Sequence, residues 1–337
     1  MWIPILLLAV GFVLLIKGGD WFVDGASGIA RRFNLPEILI GATVVSIGTT
    51  LPEVMVSAGA AFKGSGSIAY GNALGSIICN TALILAITVA IKPGAAARKS
   101  LMLPVAFFFA AAAIYCFSAY VLGDFSRLIG IVLLATFVTY MVMTVLKMKN
   151  APAIENASEA ELEAATGEDH VVESEKAGTK DSLFKDIVLL IIGAAMIAFG
   201  ADLLVDNAIV IAESLGVSEK VIGLTIVALG TSLPELVTAI TALIKGHGSL
   251  SLGNIIGANL FNIVLVSGTA VTINPFKVPV SGLISGVNSS LVLDIPVMLG
   301  VMLILTVPTL IKQKLYRWQG ITLLGVYAAF CTLQFVI

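Results

Sequence analysis

Apolar residues run along this chain in long blocks, at about Trp2 to Ala30, Pro36 to Phe62, Ser67 to Ile91, Leu101 to Leu122, Ser126 to Leu146, Leu183 to Leu215, Val221 to Ile244, Leu250 to Ile273, Val278 to Ile311 and Gln319 to Ile337. Crossing roughly 30 Å of hydrocarbon takes about 20 helical residues, and each block meets that length. The pattern predicts an all-α polytopic membrane protein of ten transmembrane helices. The long polar interval, at 147–182, carries ENASEAELEAATGEDHVVESEK and reads as a solvated linker, since it lacks the DxDxDG turn of a calcium-binding loop.

The blocks repeat. Gly41 to Glu53 reads GATVVSIGTTLPE, and Gly223 to Glu235 reads GLTIVALGTSLPE. The same offset of 182 residues (235 − 53) pairs Gly11 with Gly193, Asp20 with Asp202, Asp24 with Asp206, Asn72 with Asn254 and Asn80 with Asn262. The chain therefore divides into a first five-helix repeat at 1–146 with its motif at 41–81, the linker at 147–182, and a second repeat at 183–337 with its motif at 223–263. Five spans is an odd number, so the second repeat enters the membrane from the opposite side. Inverted repeats of this kind build secondary transporters, which hold substrate near the midplane and expose it alternately to each face.

Composition agrees: 58% of residues are hydrophobic and 12% charged, which excludes a soluble globular chain. No basic segment with a small-residue cleavage site precedes the first block, so it reads as a retained span, with the mature protein beginning at or near Met1. The net charge is only −2, but its distribution is informative. With an outside N-terminus, inside loops hold Arg31, Arg32, Lys92, Arg98, Lys99, Lys147, Lys149, Lys176, Lys180, Lys185, Lys245, Lys312, Lys314 and Arg317, against Lys63, Arg127, Lys220 and Lys277 outside. The positive-inside rule then places both termini outside the cytoplasm and the linker within it, in a multi-pass protein of the cell membrane. Cys79, Cys116 and Cys331 are scattered inside helices, without the spacing of a disulfide framework or zinc site.

Chemistry concentrates in the duplicated motifs. An ionisable residue at membrane depth is by default functional, and Glu53 and Glu235 form a matched pair. Pro52 cannot bond the Gly48 carbonyl, nor Pro234 that of Gly230, so both helices are expected to break there and offer bare carbonyls. Thr49 and Glu53 share a helix face, with Thr50 one step round; Thr231, Ser232 and Glu235 repeat the arrangement. In the next helix, Ser76 and Asn80 share a face, as do Ala258 and Asn262. Asn72 and Asn254 are equally open to packing and to coordination.

All these donors are oxygens, which favours hard cations such as Na⁺ or Ca²⁺ over zinc or copper. His170 and His247 fall in loops and read as solvated. Two buried carboxylates without a cation would repel or take up protons, whereas a divalent ion or several sodium ions would neutralise them. Competition of two loads for one set of oxygens is sufficient for obligatory exchange. Asp20, Asp24, Asp202 and Asp206 read mainly as polar anchors, with Lys17 pairing locally to Asp20; the alternative is that they and Lys17 line an access path that attracts cations.

At these residues the chain resembles the calcium/cation antiporter superfamily, specifically its prokaryotic sodium/calcium exchangers. The resemblance rests on the two G-T-[ST]-L-P-E segments, each followed by G-N-x-x-G-[SA]-x-x-x-N, and covers nearly the whole chain outside the linker. It implies a ten-helix exchanger fold in which the first and sixth helices slide as a gate across the other eight. It further implies that Glu53 and Glu235 hold Ca²⁺ with Thr49 and Thr231, that Ser46, Thr50, Ser76, Ala228 and Ser232 contribute oxygens to flanking Na⁺ sites, and that Asn80 and Asn262 lie at the centre. In members of that family an Asp can occupy the position of Asn262 and a Ser that of Ala258, so the cage here carries one negative charge fewer and lacks one hydroxyl.

The resulting expectation is a Na⁺/Ca²⁺ antiporter with ions and lipid as its partners, no nucleic acid, and no cofactor beyond the transported ions. The same fold coupled to H⁺ or K⁺ is the alternative. A cation channel or an intramembrane hydrolase is more remote, because no HExxH or GxSxG pairing occurs at membrane depth and a symmetric closed cage suits a carrier.

Overall fold

The computed structural model describes residues 2–33, 35–150, 180–214, 230–280, 283–284 and 286–336. With no water in the bilayer core, each spanning segment must satisfy its backbone groups internally, and helices result. In chain order they are α1 (Trp2–Arg32), α2 (Glu37–Phe62), α3 (Gly66–Ile91), α4 (Arg98–Leu122), α5 (Arg127–Asn150), α6 (Lys180–Ser214), α7 (Leu233–Ile244), α8 (Gly248–Ile273), α9 (Ser290–Lys312) and α10 (Arg317–Val336). Among the described residues, 8 helices are long and apolar enough to cross a membrane, and α7 is a shorter apolar helix of 12 residues.

Burial sorts these helices. Of the most apolar stretch of α8, 83% is buried, and of α3, 72%; for α1, α5 and α6 the figure is 22%. The helices carrying the Asn80 and Asn262 motifs are therefore innermost, with α2 beside them, while α1 and α6 lie at the periphery. The duplication reaches local geometry: α3 contains a π turn at Asn80–Leu85, and α8 contains one at Asn262–Ser267, 182 residues later (262 − 80). The turns before α3 and α8 use glycines at twin positions with positive φ, Gly64 at 78° and Gly246 at 82°.

The peripheral helices α1 and α6 pack against each other antiparallel along most of their length. Their contact follows glycines seven residues apart, Gly11 and Gly18 on α1 facing Gly200 and Gly193 on α6. A Cβ on Gly193 would lie 2.5 Å from the Phe22 nitrogen and 2.8 Å from the Gly18 oxygen, so the backbones themselves are in contact. Small residues permit this close approach in membranes, where dispersion rather than water exclusion drives helix association. At one end of the bundle, Lys245 ties α1 to the α7–α8 turn through Asp24 Oδ1 (2.8 Å) and Asp20 Oδ1 (3.5 Å). Lys17 is not the partner of Asp20, as local spacing suggested. His247 Nδ1 lies 2.7 Å from Glu37 Oε1 and stands at the N-terminus of α8, so it is held rather than freely solvated.

Two expectations are corrected. The block from Val278 to Ile311 is not helical throughout: α9 starts at Ser290. The preceding residues form a short hairpin pairing Leu283 with Asn288, and Phe276 and Lys277 pair with Phe125 and Asp124 of the α4–α5 connection. Pro279, Gly286 and Asn288 interrupt helix formation there despite the apolar composition. Nor does α2 break at Pro52, since the helix Ser46–Phe62 runs through it and the irregularity lies upstream, in a π turn at Gly41–Val45. One proline removes one ladder bond, which kinks a packed helix without ending it. The linker residues 151–179, including His170, lie outside the described residues.

Candidate cation site

The site forms where α2 and α7 meet α3 and α8. Close packing of α2 on α8 sets its geometry: Gly41, Gly253 and Gly257 bring the two backbones together, so that a Cβ on Gly41 would lie 2.8 Å from the Asn254 nitrogen. This contact joins the repeats. Thr49 Oγ1 donates to Asn254 Oδ1 at 3.2 Å, and Ser46 Oγ is engaged with the Gly41 and Asn254 carbonyls at 2.7 and 2.9 Å.

Glu53 from α2 and Glu235 from α7 face each other inside the protein, both with no exposed surface. The Thr49 hydroxyl also faces Glu235, across the repeat boundary. Thr50, Ser232, Asn80 and Asn262, from the same two pairs of duplicated motif segments, are buried as well. No hydrogen-bond partner meets either oxygen of Glu53, either oxygen of Glu235, the Thr50 or Ser232 hydroxyl, or either amide atom of Asn80 or Asn262. Native proteins satisfy the great majority of buried polar groups, and an unpaired buried carboxylate is among the costliest to leave alone. Most of these unpartnered atoms are oxygens, they belong to the duplicated motifs of both repeats, and oxygen is the donor type that a hard cation takes.

Second-repeat geometry differs from the first in one respect. Thr231 and Ser232 form a turn, and Ser232 (φ −94°, ψ 7°) precedes α7 with Pro234 in the first helical turn. The chain is thus non-helical beside Gly230 and Pro234, whereas Gly48 and Pro52 lie within a continuous helix. Ser76 is buried on α3 one turn before Asn80, Thr231 is half-buried, and Ala228 lies outside the described residues. Of the two asparagines left open by the sequence, Asn254 stands in the site, with its Nδ2 unpartnered. Asn72 instead braces α2, donating to the Glu53 carbonyl at 3.2 Å and the Ser57 hydroxyl at 2.9 Å. Their shared repeat position could not separate the two roles. Beside the site, a small crevice is lined by Phe22 of α1, Ala194, Ile197 and Ala198 of α6, and Gly48, Thr49, Pro52 and Pro234, so α1 and α6 cover its flank.

A largely helical membrane fold with a buried carboxylate from each of two repeats is the architecture of secondary transporters. The family model described as sodium/calcium exchanger protein matches residues 3–146 and 185–336, and the chain belongs to that family. It is 35% identical over 327 residues to a membrane protein of Methanocaldococcus jannaschii, covering 94% of this chain and 93% of that one. It is 32% identical to the sodium/calcium exchanger MaX1 of Methanosarcina acetivorans, with 98% of each chain covered. Solved structures of the sodium-calcium exchanger NCX_Mj match it with a TM-score of 0.77 at 34% identity, over 97% of this chain and 98% of that one. The protein is accordingly a multi-pass membrane cation antiporter with the exchanger fold, and not an enzyme.

Proposed function

We propose that this antiporter exchanges Na⁺ for Ca²⁺ by alternating access, with the ions held between Glu53 and Glu235. The observation that carries the reading is the facing pair of carboxylates, one from each repeat, with all four oxygens buried and unpartnered. Two negative charges match one divalent ion, and the surrounding hydroxyl and amide oxygens suit several monovalent ions instead. Occupancy by one load excludes the other, because both need the same carboxylates. That competition couples the two fluxes.

In this reading Glu53, Glu235, Thr49 and Thr231 hold Ca²⁺, while Ser46, Thr50, Ser76, Ala228 and Ser232 extend the cage for Na⁺ and Asn80 and Asn262 line its centre. The α1–α6 pair covers the site and moves over the remaining helices, which fits its peripheral position and its own backbone-to-backbone packing. The distribution of basic residues orients both termini outside the cytoplasm. The relatives named as sodium/calcium exchangers favour Na⁺ as the coupling ion over H⁺ or K⁺.

Flux into sided proteoliposomes tests this. An imposed Na⁺ gradient should drive Ca²⁺ in the opposite direction, and no Ca²⁺ should move without a counter-ion. Uptake that follows a pH gradient and ignores sodium would assign the coupling to protons; uptake that requires K⁺ would add that ion.

A further inference from the structure

A second buried acidic group lies apart from the duplicated site. Asp294, only 8% exposed, stands at the start of α9 within a π turn at Ser290–Asp294. It lies outside both duplicated motifs, 41–81 and 223–263, so Asp294 is no part of the duplicated machinery. Its neighbours come from four helices. Gln334 of α10 donates to Asp294 Oδ1 at 2.7 Å. The Ser290 hydroxyl faces both the carboxylate and the Tyr70 hydroxyl of α3, yet closes a hydrogen bond to neither. Tyr115 of α4 stacks on Tyr70 with centroids 6.2 Å apart, and its own buried hydroxyl is likewise unpartnered. Tyr120 Oη donates to the Leu291 carbonyl at 2.5 Å, pinning the π turn in place.

The Gln334 hydrogen bond by itself would account for a carboxylate that merely ties α9 to α10. It does not account for the buried hydroxyls of Ser290 and Tyr70, both left without a closed hydrogen bond beside the same group. Buried hydroxyls ordinarily find partners, and π turns recur where backbone is shaped for a ligand. The donor set is oxygen throughout, which selects a hard cation. One carboxylate carries one charge, which matches a monovalent ion rather than a divalent one.

We propose that Asp294, Ser290 and Tyr70 form a binding site for a monovalent cation, Na⁺, separate from the cage at Glu53 and Glu235, with Tyr115 closing its far side. The site lies near the end of the bundle that carries the paired segments at Asp124 and Lys277. It is independent of the exchange mechanism proposed above, because none of its residues belongs to the central cage.

Thermal unfolding of the full-length protein tests it, in NaCl against choline chloride at equal ionic strength with Ca²⁺ chelated. The Glu53→Gln/Glu235→Gln protein, stripped of the central charges, should still be stabilised by Na⁺ in a concentration-dependent way. Adding Asp294→Asn should abolish that response. Ser290→Ala and Tyr70→Phe keep the carboxylate and its Gln334 hydrogen bond, and each should raise the Na⁺ concentration required by about tenfold, a loss of about 1.4 kcal/mol. Equal unfolding temperatures in Na⁺ and choline for the doubly substituted protein would overturn the site, as would a Na⁺ response that survives Asp294→Asn. Failure of the central reading has a different signature, Ca²⁺ exchange persisting in Glu53→Gln or Glu235→Gln.

Discussion

At the scale of single residues, the two glutamates carry opposite consequences for stability and for transport. Each is buried without a partner for its carboxylate, so without a cation the pair opposes folding, and in the proposed site a bound cation would reverse that cost. Glu53→Gln or Glu235→Gln should therefore abolish Ca²⁺-driven exchange in reconstituted vesicles while raising the unfolding temperature of the cation-free protein. The increase in unfolding temperature that Ca²⁺ gives the parent should disappear in both variants. A variant that keeps Ca²⁺ uptake would remove the carboxylate pair from the site. Thr49 and Asn254 add a structural role, since their hydrogen bond joins the two repeats beside Glu235. Thr49→Val should weaken Ca²⁺ affinity, read by isothermal titration, and should cost about 1 kcal/mol of stability, the net worth of one such bond.

At the scale of elements, the α1–α6 pair depends on having no side chain where the helices touch. Gly193→Leu forces bulk against the backbone of Gly18 and Phe22, which cannot move aside as a flexible side chain would. The helices must separate, and exchange should be lost along with a drop of several degrees in unfolding temperature. Gly300→Ala in α9 is the matching control. A Cβ there meets nothing within 4 Å, so the change should be neutral or stabilise by about 0.5–1 kcal/mol, through helix propensity. Equal effects of the two substitutions would mean that the glycine contact is incidental. The motif helices show how far local spacing reaches. Proline and glycine at 48–52 suggested a break, and the structure carries the helix through Pro52 while placing irregular backbone at Gly41–Val45, Asn80–Leu85 and Asn262–Ser267. Nothing in the composition of those segments marks a π turn; it arises from how α2, α3 and α8 pack.

For the whole molecule, the link between α1 and the α7–α8 turn through Lys245 is one that any movement of α1 must stretch. Both carboxylate partners are substantially exposed, so the pair is worth at most about 1 kcal/mol. Lys245→Met should change the exchange rate by no more than about fivefold and leave equilibrium Ca²⁺ affinity unaltered, as measured by flux and by titration on the same preparation. A loss of affinity would show that Lys245 acts on the cage itself.

The sequence by itself determined the helical, membrane-spanning character of the chain, its duplication and the oxygen-only chemistry of its motifs. Hydrocarbon forces backbone hydrogen bonds inside each segment, so span length is legible in one dimension, and a repeat is legible as a constant offset. Which residues meet across helices was decided only by the tertiary structure. Glu53 faces Glu235, Thr49 reaches Asn254 rather than a neighbour in its own repeat, and Lys245 takes Asp20, which spacing had paired with Lys17, together with Asp24. Asp294 meets Tyr70 and Gln334, both remote from it in sequence, beside its near neighbour Ser290. These pairings depend on distances through space, which the packing of close helical backbones fixes and no local pattern encodes.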